Sequence, residues 1–167
     1  MHRSLREQIN KQSGFSSPEE EAMLNIARTA AMIDGAERAF FKSFDLSPQA
    51  YNLLRILRGH KARGHTRGVR ASEIGCQMVV RVPDVTRLVD RLEARGLVER
   101  GSCSTDKRVK YVSISEDGLR LLAQIDPQIE GLGRSVLGHM SESELRTISR
   151  LMEQARNEQD TDRRSEG

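Results

Sequence analysis

Tryptophan is missing from this chain, and aromatic residues make up only 4% of it. A core must therefore be assembled from Leu, Ile, Val, Ala and Met. Interlocked helices do this readily and an all-β sandwich does not. Cysteine is nearly as scarce. Cys76 and Cys103 are the two present, too few for a disulfide framework, and their expected state is the free thiol of a reducing compartment. No apolar run is long enough to cross a bilayer, and Met1 to Gly14 has no apolar core of the signal-peptide kind. A cytoplasmic location and no membrane partner are expected. Catalytic patterning is equally thin. His2, His60, His65 and His139 are scattered, no glycine-rich phosphate loop or paired-carboxylate motif occurs, and neither an enzyme nor a cofactor is expected. His60, His65 and Cys76 fit no closed metal-ligand spacing, so no metal is expected either.

The chain has 167 residues, 37% of them hydrophobic and 31% charged, enough for a sizeable core. Its net charge of +3 is unevenly spread. Between Arg55 and Lys110 stand fourteen Lys or Arg against six Asp or Glu, a surplus of eight, which leaves the rest of the chain at −5. A basic middle between acidic flanks suits a polyanion at the centre and a protein partner at the ends.

Residues 1–16 are polar and aperiodic and read as a flexible arm. Ser17-Pro18-Glu19-Glu20 opens a helix with a serine cap and a first-turn proline, and Ala22, Ile26, Ala30 and Ile33 form its apolar stripe. Ser47-Pro48 caps the next helix, whose Ala50, Leu53, Leu54 and Leu57 recur at i, i+3, i+4 and i+7. Three glycines between Gly59 and Gly68 mark a connection. A short helix fits Ser72 to Gln77, with Cys76 expected in the core. A second fits Val82 to Ala94, with Val85, Leu88, Val89 and Leu92 on one face and Asp84, Arg87 and Arg91 on the other. Pro83 and Asp84 suit its first turn, and Gly96 stops it. Leu97 to Gly101 and Val109 to Ile114 predict an antiparallel hairpin around a polar loop. Ser115 caps a long helix that Pro127 should kink, and Ser141 to Glu144 caps the last, before a charged tail at 157–167 that reads as flexible.

Asp84 to Glu93, then Gly96-Leu97-Val98-Glu99-Arg100, then Asp106-Lys107-Arg108, then Ile114-Ser115-Glu116-Asp117-Gly118 follow in order. In this order and spacing the chain resembles the MarR family of transcriptional regulators from about Leu46 to Leu122. The resemblance implies a mainly α fold with a small β-hairpin. A winged helix-turn-helix domain at 46–118 would join a helical dimerisation domain made from the N- and C-terminal helices, 17–45 and 119–156. It implies a homodimer on a palindromic operator in double-stranded DNA, a repressor by expectation. It also implies an effector drawn from small aromatic or phenolic compounds. The competing reading is a winged-helix protein-interaction module without DNA binding.

Within that frame the candidate DNA-binding residues are Arg81, Val82, Pro83, Asp84, Thr86, Arg87 and Arg91 around the recognition helix, and Asp106, Lys107, Arg108 and Lys110 in the wing. Arg87 and Arg91 are free for the major groove, and Asp84 orients Arg87 or accepts from a cytosine amino group. Asp106 braces Arg108 for a narrow minor groove, while Lys107 and Lys110 suit phosphates. Thr86 is either a phosphate or a packing contact.

Overall fold

The computed structural model describes residues 3–65, 67–102 and 110–165. The chain divides into two compact units, residues 1–128 and 129–167.

In the first unit, α1 (Leu5–Gln8) is a single turn closed by a capping box between Ser4 and Glu7, with Leu5 buried. The segment expected as a flexible arm carries this one helical turn. Leu5 gives it an apolar anchor, and Gln8 accepts a hydrogen bond from Arg28 Nε at 2.9 Å. Helix α2 (Pro18–Lys42) starts where Ser17 accepts from the Glu20 amide at 3.2 Å, with Pro18 in the first turn needing no amide partner. Residues 21–32 of α2 are all exposed, including Met23, Leu24, Ile26 and Met32. Burial begins at the C-terminal end, where Phe41 lies 4.5 Å from the Tyr51 ring of α3 (Pro48–Ala62). Helix α3 is the keel of this unit. Its Ala50, Tyr51, Leu53, Leu54 and Leu57 are all buried, the i, i+3, i+4, i+7 stripe legible in the sequence.

The sheet is antiparallel in the order β1-β3-β2, and it adds a strand to the expected hairpin. β1 (Val69–Arg70) is only two residues long and pairs Val69 with Val112 of β3 (Lys110–Ile114), while β2 (Val98–Ser102) pairs Val98 with Ile114 and Ser102 with Lys110. Gly68, at φ +86°, permits that extra strand. A Cβ there would stand 2.5 Å from the Val112 carbonyl oxygen.

Helix α4 (Ala71–Gln77) buries Ile74, and Met78 beyond it is buried too. Cys76, expected in the core, is exposed. Ile74 and Met78 are one turn apart and share the inner face, and a residue midway between them points the other way. Helix α5 (Val85–Ala94) buries Leu88, Val89 and Leu92. It ends in a Schellman turn: Gly96 N–H donates to Glu93 O at 2.8 Å and Leu97 N–H to Leu92 O at 2.9 Å, with Gly96 at φ +69°. Helix α6 (Glu116–Leu137) begins at Ser115, and its Leu122 and Ile125 are buried. Pro127 lies inside this helix, near the division between the units.

In the second unit, α7 (Glu142–Ser165) starts with a reciprocal capping box. Ser141 N–H donates to Glu144 Oε2 at 2.8 Å, and Glu144 N–H donates to Ser141 Oγ at 3.3 Å. The helix runs past Asn157, into the segment expected to be a flexible tail. Gln, Glu and Arg in that stretch are competent helix formers, and no Pro or Gly interrupts it before Ser165. Ile148 and Leu151 are exposed on α7.

Candidate nucleic-acid interface

Helix α5 presents its buried stripe to α4 and the sheet, so the opposite side carries polar residues. Its start differs from the sequence expectation. Pro83 lies outside the helix, and Asp84 is the N-cap, with φ −138° and its Oδ1 accepting from the Arg87 amide at 3.0 Å. Pro83-Asp84 also fits a helix whose first turn contains both residues, but the non-helical backbone at 84 moves the start to Val85. The cap is therefore Asp84 itself, placed one turn before the residue it steadies. Its second oxygen lies 3.2 Å from Arg87 Nε, and the Arg87 side chain remains 84% exposed. One carboxylate thus both ends the helix and aims a guanidinium outward.

Arg81, Asp84, Thr86, Arg87 and Arg91 are all exposed, Pro83 is exposed in the preceding turn, and Val82 is half-buried. Lys110 opens β3, exposed, at the base of the wing. Asp106, Lys107 and Arg108 lie outside the described residues, as does Cys103. The structure brings Asp84 and Arg87 together as expected. Thr86 contributes a backbone atom: its carbonyl accepts from Arg100 Nη2 at 3.5 Å.

That last contact belongs to a group for which the sequence reading found no role. Arg100 on β2 reaches across to α5, pairing with Asp90 through Nη2 and with Glu93 through Nη1 at 2.8 Å. Strand β2 is thereby clamped to α5. The available signal was the Asp90 and Glu93 pair, three residues apart on one helix side amid arginines. A second clamp holds the far end of α5, where Arg95 donates to the Asp45 and Phe44 carbonyls, the latter at 3.4 Å. The turn before α5 is pinned as well, since Asn52 Oδ1 of α3 accepts from the Val79 amide at 2.9 Å.

Three further side chains tie α3 to its surroundings. Arg58 makes a two-pronged pair with Asp126 of α6 at 2.5 and 3.3 Å, and that hydrogen bonding raises the guanidinium's affinity for its proton further. Lys61 pairs with Glu116 at 2.8 Å and draws that carboxyl below its ordinary range. His60 Nε2 lies 3.0 Å from Gln77 Oε1. No cluster of three or more metal-binding side chains occurs among the described residues, and no described helix is long and apolar enough to cross a membrane.

The family model that matches is that of the MarR family, over residues 46–110. Among solved structures, a MarR transcription factor from Planctomyces limnophilus is 36% identical, with 84% of this chain and 98% of that one covered and a TM-score of 0.64. A mutant MarR from E. coli complexed with operator DNA is 19% identical, covering 86% of this chain and 99% of its own at a TM-score of 0.72. A MarR family transcriptional regulator from Streptomyces coelicolor in complex with DNA is also 19% identical, covering 87% and 91% at a TM-score of 0.72. The last two are likenesses of fold. The first, at its identity and near-complete coverage, joins the sheet order and the capped helix in placing this chain within a lineage: it belongs to the MarR family of transcription regulators and carries a winged-helix fold.

Proposed function

We propose that this chain is a DNA-binding transcription regulator that grips a palindromic operator as a homodimer and represses by occluding the promoter. The observation that carries the reading is Arg87, held outward from a capped helix by Asp84, with exposed Arg81 and Arg91 beside it. A helix of this kind enters the major groove with its first residues toward the bases. The basic surplus from Arg55 to Lys110 supplies the sequence-independent attraction to phosphates. Two relatives of the same fold are described in complex with DNA or operator DNA.

The homodimer is supported by the exposed apolar residues of α2 and α7, which leave Met23, Leu24, Met32, Ile148 and Leu151 to be covered by another surface. Twofold pairing would set the two recognition helices about 34 Å apart, one turn of duplex. The remaining wing contacts assigned to Asp106, Lys107, Arg108 and Lys110 extend the same grip. Small aromatic or phenolic compounds are the effector class of this reading, a regulatory arm that rests on the family resemblance alone.

The test is selection of bound fragments from the source genome, followed by titration of the recovered duplex. A palindrome should emerge. With about six to ten phosphate contacts, affinity should fall roughly 10³ to 10⁵ fold between about 50 and about 200 mM salt. Arg87→Ala should cost about 1 to 3 kcal/mol of binding. A flat salt response, or an Arg87→Ala protein that binds as tightly as the parent, would reject the reading in favour of a protein-interaction module.

A further inference from the structure

Among the described residues, Val79 is the most exposed large hydrophobic side chain, at 86%, and Val80 beside it is 59% exposed. From Leu46 to Lys110 they are the only large hydrophobics that the described residues leave exposed. The fold does not explain this through looseness. Met78, immediately before them, is buried, and the Val79 amide is held by Asn52 Oδ1 at 2.9 Å. Two β-branched side chains thus stand in water on a turn whose backbone is anchored at Val79. That turn lies between α4 and α5, directly before Arg81 and the Asp84 cap.

Position and charge select the occupant. Flanking Arg81, Arg87 and Arg91 favour a polyanion, and the one apolar group that a duplex presents in its major groove is the C5 methyl of thymine. Valine suits it: β-branching leaves few χ1 states, so little side-chain freedom is lost on contact. Resting on the DNA-binding reading above, we propose that Val79 and Val80 are specificity residues that read thymine methyl groups at the edge of the recognition-helix footprint.

Deoxyuridine removes that methyl and leaves base pairing intact, so the operator duplex recovered by genomic selection is resynthesised with each dT replaced in turn by dU. The full-length protein should lose about fourfold in affinity per methyl contacted, at one or a few positions in each half-site. Val79→Ala, Val80→Ala and the double variant should melt like the parent, since the side chains are exposed, and should bind dT and dU duplexes alike at those positions. Parent protein that binds the recovered duplex through Arg87 yet ignores every dU replacement would overturn the proposal while leaving the regulator intact. Double-variant protein with the parent's dU penalty would also overturn it, by assigning the methyl to another group. So would a change in oligomeric state with unaltered dU discrimination, which would give the valines to a contact between copies. Failure to recover any duplex would remove the DNA reading and this inference together.

Discussion

Asp84 carries two duties that substitution can separate. Its Oδ1 accepts from the Arg87 amide, a bond whose loss at a helix start costs about 1 kcal/mol. Its negative charge at the positive end of α5 adds about 0.3 to 1 kcal/mol. The pairing with Arg87 Nε at 3.2 Å adds little to stability, about 0.2 to 0.5 kcal/mol, because the guanidinium is so exposed. Asp84→Ala removes all three and should cost about 1.5 to 2.5 kcal/mol. Asp84→Asn keeps the capping oxygen and should cost about 0.5 to 1.5 kcal/mol. For a chain of 167 residues each kcal/mol is worth roughly 2 to 4 °C in Tm. Alanine should therefore lower Tm by about 3 to 10 °C and asparagine by about 1 to 6 °C, read by circular dichroism and checked by urea titration. Duplex binding adds an independent axis. Asp84→Asn releases Arg87 from its brace with the helix still capped, so its affinity should fall by more than its stability does. Equal destabilisation by the two substitutions, or an alanine variant within about 0.3 kcal/mol of the parent, would refute the capping role. An asparagine variant that binds duplex like the parent would refute the brace.

Two further perturbations probe the scaffold. Ser115 is buried, its hydroxyl donating to the Gly96 carbonyl at 2.6 Å and accepting from the Gly118 amide at 3.0 Å. Ser115→Ala should cost about 2 to 3 kcal/mol, about 1 for the cap and the rest for the buried groups left unpaired, and a loss below about 0.5 kcal/mol in urea unfolding would contradict it. The Ser141 hydroxyl and amide hold the Glu144 carboxyl below the ordinary 4.5. A depressed folded-state value means that this cap's contribution is complete above the ordinary glutamate range and is lost as pH falls through the lowered value. An NMR titration of the Glu144 carboxyl should have its midpoint under 4.5, and Ser141→Ala should move it up; a midpoint at or above 4.5 in the parent would dismiss the effect.

What was legible in the sequence is what short-range periodicity encodes. The stripes Ala50, Leu53, Leu54, Leu57 and Val85, Leu88, Val89, Leu92 predict buried helix faces, and all are buried except Val85, which stands half-buried in the first turn of α5. The β-formers from Val109 to Ile114 predict one arm of a hairpin, and Lys110–Ile114 is a strand paired with β2. Two-residue β1 could not be seen this way, because Val69-Arg70 has no periodicity and owes its strand geometry to pairing with Val112 and Tyr111. Cys76 was misjudged because a seven-residue helix has too few turns to define its face from composition. The helix start at Val85 turned on one backbone conformation, at Asp84, which the residue types leave open. The outward face of Arg87 was legible from spacing alone, whereas the pairing of Arg100 was not, since its partners lie seven and ten residues away on another element.

Arg100 matters because α5 carries acids as well as arginines. Asp90 and Glu93 on a helix bound for a polyanion would repel phosphates wherever they stand unpaired. Arg100 covers both with one guanidinium, so the repulsion is reduced and the same bonds fix β2 against the helix. With Asp84 setting the beginning of α5, and Arg95 and the Schellman turn its end, the helix is held at its start, along its length and at its close. On the DNA-binding reading proposed above, an element fastened in this way would lose little freedom on entering a groove, and the favourable contacts of Arg87 would not be spent on ordering it. The same two bonds join β2 to that helix, so a change at Arg100 should be felt on α5.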